Sequence, residues 1–201
     1  MKNFNLKANF FDQRPISQQG ISLVIVMIFL VILSVLGVNA IQTSTLSSRV
    51  ARNEADRNLA FQAAEAALRD AQLDVNNLAV DRTACVAGVG TCRAKSIKNY
   101  SGFNDACTDG RCCTHPSVIN CPTKPSVLPV WEDTTKWTTT GGSVAYGRFT
   151  GATALPVVAF QPRYLLEPFE IQDGFVYRIT ALGYGANDST QVMLQTTMRA
   201  N

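Results

Sequence analysis

The sequence predicts an α+β chain: a long, partly transmembrane N-terminal helix packed on a C-terminal antiparallel β-sheet, with a disulfide-rich loop region between them. Three observations carry that reading. Ile21 to Ile41 holds no charged side chain and only Ser22, Ser34 and Asn39 as polar ones. From Leu46 to Leu78 the chain keeps a helical period without Pro or Gly. All six cysteines fall between Cys85 and Cys121, and β-branched and aromatic runs bounded by Gly and Pro follow them.

The apolar run comes first. A spanning helix needs about 20 apolar residues, and the uncharged stretch continues through Ser48. Three readings compete. A secretory signal would have an apolar core of about 7–15 residues; this one is longer, although Val38-Asn39-Ala40 is a passable cleavage site. A permanent single-pass anchor is the second. The third is a leader carrying Lys2, Lys7 and Arg14, cut after Gly20, with the apolar segment retained. Glycine there lets backbone approach a protease closely. Charge does not settle the orientation, because Arg49, Arg52 and Arg57 follow the span as closely as the leader's basic residues precede it. The clustered, even-numbered cysteines point to an oxidising compartment for the C-terminal part.

After the span, Ala, Leu, Arg, Glu and Gln dominate, all good helix formers. Leu46, Val50, Asn53, Arg57, Ala60, Ala64, Leu68, Ala71, Val75 and Leu78 recur at spacings of three and four, with Phe61 on the same face. Asn76-Asn77 and Asp81 mark the end. Span and stripe together predict one helix about 85 Å long, with Gly37 and Asn39 as its weak points. The alternative for the stripe is a coiled coil. An Ala-rich face interrupted by Asn53 and Arg57 suits docking on a domain better. The expected divisions are a leader (1–20), an apolar helix (21–48), an amphipathic half (49–80) and a disulfide-containing head (81–201).

The head begins with turns at Gly88, Gly90, Gly102, Gly110, Pro116 and Pro122. Cys85, Cys92, Cys107, Cys112, Cys113 and Cys121 allow 15 connectivities. A local Cys85–Cys92 loop ranks first, and the adjacent Cys112 and Cys113 should take different partners. His115 is the single histidine, and only Cys107-x4-Cys112 resembles zinc spacing. Asp105 and Asp109 lack the full calcium-loop pattern. No metal and no cofactor is expected. Strands are expected in VLPVW, SVAYGRF, ALPVVAFQPRYLLEPFEI and FVYRITALGYG. The last forms a hairpin through Gly185-Ala186-Asn187-Asp188 with Val192, Leu194, Thr196 and Met198, one face resting on the Phe61/Leu68 side of the helix. Glu54, Asp56, Glu65 and Asp70 read as solvated helix-face charges. There is no G-x-S-x-G, phosphate loop or metal pair, so no catalytic residue is assigned and no enzyme is expected. A net charge of +3, from 18 basic and 15 acidic residues, is too mild to argue for nucleic acid.

A basic leader ending in Gly20, a long apolar helix and a disulfide-bearing sheet resemble type IV pilins. RNEADRNLAFQAAEAALRDAQ, Arg52 to Gln72, and FVYRITALGYG with the closing STQVMLQTTMRAN resemble the PilX-type minor pilins in particular. Residues 83–170 carry no placeable motif. The resemblance implies a role in assembling a type IV pilus. It implies cleavage of the Gly20–Ile21 bond and N-methylation of Ile21 by a prepilin peptidase. The partners would be other minor pilins, the major pilin, the inner-membrane assembly platform and a PilY-type adhesin, with no direct contact to nucleic acid. The subunit would wait in the inner membrane with its head in the periplasm, then join the fibre, at its tip. The fifth residue after the scissile bond is usually Glu in pilins; here it is Ile25, an absence shared by PilX-type proteins and K-type pseudopilins. The rival reading is a membrane-anchored periplasmic or surface binding module that never polymerises.

The leader reading makes a direct prediction. Gly20→Glu places a bulky charge at the scissile bond, so unprocessed protein should accumulate in the inner membrane. Normal processing of that variant, read by mass on a blot, contradicts it.

Overall fold

The computed structural model describes residues 20–93, 97, 102–113, 129–138, 140, 142–172 and 174–199, without the side chains at 39, 40 and 43. The chain divides into two units, Met1–Arg49 and Val50–Asn201. One α-helix, α1, spans Ile21–Val75 and belongs to both.

In the first unit, α1 runs through Gly37 without a break. Ser34 Oγ donates to Leu30 O at 2.7 Å and Thr45 Oγ1 to Gln42 O at 2.9 Å. The Ser34 hydroxyl within the apolar run is thereby satisfied inside the helix, which is what an apolar medium requires.

In the second unit, α1 lies under an antiparallel sheet of order β1-β2-β3-β4, formed by Val144–Ala145, Arg163–Ile171, Gly174–Tyr184 and Gln191–Arg199. The face that α1 turns to the sheet is alanine: Ala60, Ala63, Ala64, Ala67 and Ala71, followed by Val75, all buried. Short side chains let a strand come close, and Gly183 on β3 completes the fit. A Cβ added there would collide with Ala60 O and Ala64 N. Phe61, expected in this core, is 44% exposed instead. A ring does not fit an interface set by methyl groups, and the helix presents Phe61 beside Ala60 rather than beneath the sheet. Leu68 is partly buried and packs against the core.

The hairpin follows the expected register, from Tyr184↔Gln191 to Val176↔Arg199. On β4, Val192, Leu194, Thr196 and Met198 are half-buried and their neighbours exposed. The expectation of one covered face, made for the hairpin, fails for the second half of β3, and β2 is covered on both faces as well. Tyr164, Leu166, Tyr177, Ile179 and Ala181 face α1. Leu165, Leu182 and Tyr184 pack on the other side against Cys107, Cys112, Val130 and Trp137. Tyr164 to Pro168 is therefore buried without alternation, as in a strand covered on both faces. Three strand expectations also change. Val130–Glu132 is a 3₁₀ turn, with Pro129 leading into it. Among the described residues, 154–162 form no strand, and SVAYGRF supplies only Val144–Ala145. β2 begins at Arg163, immediately after Pro162, which has no N–H for a ladder.

α1 ends through Asn77 in the left-handed region (φ 59°). Leu78 N donates to Leu73 O (2.8 Å) and Asn77 N to Asp74 O (3.0 Å). These two bonds make a Schellman cap, and asparagine tolerates that backbone better than most side chains.

The close approach at Gly183 predicts that Gly183→Ala lowers stability by about 1–3 kcal/mol, because the neighbouring backbone must move. Denaturant unfolding of the full chain in detergent measures it. A change below about 0.5 kcal/mol, the range of ordinary surface substitutions, contradicts the packing argument.

Candidate functional site

The N-terminal site is simple in geometry. Gly20 is exposed and α1 starts at the next residue, Ile21. A Cβ at Gly20 would meet nothing within 4 Å, and its φ is not positive. Among the described residues, nothing requires glycine there. Ile21–Val38 has a mean hydropathy of 3.2 and none of it is buried. Ile25 lies within it, 48% exposed. A continuous apolar surface of this kind is long enough to cross a membrane and needs lipid or partner helices around it.

In the head, the last turns of α1 carry two carboxylates on its inner face. Asp74 is buried and receives Arg93 in a forked pair, Nε to Oδ1 at 2.6 Å and Nη2 to Oδ2 at 2.7 Å. Tyr164 Oη also donates to Asp74 Oδ2, at 2.7 Å. The Arg93 guanidinium lies 3.8 Å from the centroid of the Phe149 ring. Burial works against the charge on Arg93, but the Asp74 carboxylate outweighs it and raises its pKa. Burial beside the Asp74 carboxylate pushes Tyr164 well above its ordinary value. Removing one member of such a buried pair typically costs about 3–5 kcal/mol, because the other charge is left unpaired.

Asp70, expected to be solvated, is also buried. It sits one residue before Ala71 on the docked face, and a turn of the head supplies its donors: Gly147 N at 2.8 Å and the Thr150 hydroxyl. Asp56 is only half-exposed and has a comparable role near the hairpin turn. It accepts from Ala186 N (2.6 Å) and from Asn187 N (3.4 Å) and Nδ2 (3.3 Å). Hydrogen bonding, first from Thr190, holds its pKa below the usual carboxylate value. Glu54 is exposed, and Glu65 is part-exposed, 4.0 Å from Arg69.

On the outer face, Arg178 pairs with Glu167 directly across β2 and β3 at 2.9 and 3.0 Å. Its guanidinium lies over Trp131 and Phe169, 4.2 and 4.6 Å from their centroids. Beside it, Trp137, Phe160, Leu182 and Tyr184 line a cleft of about 560 Å³. Arg163 at its edge donates to Ser143 Oγ and O.

The cysteines sit in the loop region. Cys85 is bonded to Cys92, and Cys107 to Cys112. The zinc-like spacing of Cys107 and Cys112 is thus a disulfide loop on the sheet. Cys113 is also disulfide-bonded; Cys121 and His115 lie outside the described residues. Among the described residues no cluster of three metal-ligating side chains occurs. Asp109 pairs instead with Arg148 at 2.9 Å and Arg111 at 3.7 Å. Asp74 and Arg93 escaped the sequence reading. The available signal was a carboxylate at the i+3 position from Ala71 with an arginine directly after Cys92.

One long helix with an apolar N-terminal part and a later part docked on a four-stranded antiparallel sheet, together with a disulfide-bearing loop region, defines a type IV pilin-like protein. Within that class the chain belongs to the PilX family of type IV pilus assembly proteins, a family of minor pilins. The PilX N-terminal family matches residues 19–69, and the family described as type IV pilus assembly protein PilX C-term matches residues 89–200. No curated protein and no solved structure gives a significant match. The domains of this family are structural.

Burial is the main cause of the raised Asp70 pKa; the bonds from Thr150 and Gly147 oppose it, and the Asp74 charge adds to it. The folded state therefore holds this proton more tightly than the unfolded chain. Its contribution to stability is complete below the unfolded value of about 3.9 and is lost as pH rises through the folded pKa. Asp70→Asn should remove that loss. The stability difference between the parent and the variant should then move in the variant's favour from about pH 4 upward. A pH-independent difference contradicts this.

Proposed function

We propose that this minor pilin primes type IV pilus assembly and sits in the tip complex, linking pilin subunits to a PilY-type adhesin. In this reading it has no catalytic role. Prepilin peptidase cuts between Gly20 and Ile21 and N-methylates Ile21. The freed helix waits in the inner membrane with the head in the periplasm, where the assembly platform, the major pilin and other minor pilins meet it.

Ile25 is the observation that carries the tip position. A carboxylate at membrane depth costs roughly 2.5–3.5 kcal/mol on insertion scales. The glutamate usual at this place in pilins offsets that cost by pairing with the N-terminal amine of the subunit added before. Ile25 makes no such pair, so this chain is poorly suited to join beneath an existing subunit. It loses nothing when no subunit lies ahead of it, and its own amine at Ile21 stays available to the next arrival. First to assemble is distal once the fibre grows. Support for the processing step comes from Gly20, which no packing contact of its own requires, and from the uncovered apolar surface that follows it.

Two measurements test this. N-terminal sequencing of the mature protein should begin at Ile21; Met1 would support a permanent anchor, and Ile41 a secreted protein. Gold-labelled antibody on sheared pili should mark ends. Label along the shafts refutes the tip position, and normal pilus numbers in a deletion strain refute priming.

A further inference from the structure

The two edges of the sheet differ. On the β2 side, β1 pairs with Arg163 and Tyr164. Beyond it Arg111 bridges to Leu166, with Cys112 N donating to Leu166 O at 2.9 Å. That edge is covered from Arg163 to Leu166. On the other side, β4 ends the sheet. Gly185 N donates to Thr190 O at 2.9 Å, and the register runs unbroken from there to Val176↔Arg199. Antiparallel bonding alternates, so Val192, Leu194, Thr196 and Met198 bond inward to β3. The N–H and C=O groups of Met193, Gln195 and Thr197 point outward. Among the described residues, no backbone group meets those three.

The edge also lacks the features that protect exposed strands. β4 is nine residues long with no Pro, no Lys and no bulge, and its single charge, Arg199, is at the end. Beside it runs a groove of about 300 Å³, floored by Phe61, Val192 and Leu194 and walled by Glu54, Arg57 and Asn58. Residues 54, 57, 58 and 61 form one helical stripe. The groove is bounded by α1 and β4, and Phe61 is exposed in it.

We propose that the outer edge of β4 receives an extended strand from a partner protein. That strand extends the sheet and lays alternate apolar side chains over Phe61, Val192 and Leu194. The outward backbone groups define the partner's conformation, since they match only an extended chain. The apolar floor sets its pattern, because side chains on one face of a strand recur every second residue. A second copy of this chain fits less well. Its own Val192, Leu194, Thr196 and Met198 already face its own helix and are not free to fill the groove. The proposal stands on the sheet geometry and holds whether or not the subunit occupies the fibre tip.

The test uses the full chain in piliated cells, with photoreactive benzoylphenylalanine replacing Met193. Irradiation should join it to a partner peptide whose apolar residues alternate, identified by mass spectrometry. Thr197→Pro removes an outward N–H but no bond to β3, and should lower the yield by about tenfold or more, equivalent to about 1.4 kcal/mol; Thr197→Ala should leave it unchanged. Phe61→Glu alters a residue that is already exposed, so it tests the groove even if the proline variant does not fold, and it should lower the yield similarly. The proposal is overturned by the absence of any product, by a product of twice the chain's mass, by a partner peptide without the alternation, or by a yield that Phe61→Glu leaves unchanged.

Discussion

The closeness of α1 to β3 is the constraint on which the head depends. Five alanines and a glycine set it: Ala60, Ala63, Ala64, Ala67 and Ala71 on the helix, and Gly183 on the strand. Large side chains would give more buried area per residue, but they would hold the sheet away. At this separation the short carboxylates of α1 reach past the interface. Asp56 meets the hairpin turn, Asp70 the Gly147–Thr150 turn, and Asp74 meets Arg93 and Tyr164. The polar contacts around the sheet follow from an apolar choice.

The same sheet is covered on its second face by segments with little regular structure of their own. Short 3₁₀ turns at Val130–Glu132 and Thr134–Trp137 bring Val130 and Trp137 onto Leu165, Leu182 and Tyr184. The Cys107–Cys112 loop fills the rest. Arg178 and Glu167 lie at this face as a paired charge under aromatic cover, where the ring faces and the carboxylate both favour the cation.

What could be read in the sequence had a period. The helix showed itself by spacings of three and four, and the β3–β4 hairpin by alternation around a Gly-Ala-Asn-Asp turn. The apolar run from Ile21 onward was legible because a charge-free stretch of that length is rare. Phe61 was misplaced because hydrophobicity says that a residue seeks burial, not which neighbour sets the gap. Asp70 was read as solvated because its donors, Gly147 and Thr150, are far along the chain. VLPVW looked like a strand by composition, yet its described part, Pro129 to Trp131, leads into a 3₁₀ turn that covers the sheet, and β2 does not alternate because both of its faces are covered. In each case the deciding contact is long-range, and no local pattern records it.

The C-terminal end of α1 closes a ring of bonds. Asn77 caps the helix; its side chain donates to Cys85 O at 2.8 Å and its carbonyl accepts from Cys85 N at 2.9 Å. Cys85 is joined covalently to Cys92, the next residue is Arg93, and Arg93 returns to Asp74, one turn inside the helix. A ring does not open link by link. Once Asp74 lets go, Arg93 is a buried charge on a tethered loop; once the Cys85–Cys92 bond is gone, the loop that delivers Arg93 regains its conformational entropy, and the last helical turn loses what held it. Residues that act through one circuit share one free energy. Asp74, Arg93 and Cys85 therefore form a single thermodynamic unit, in which the first loss carries most of the effect and later losses add little.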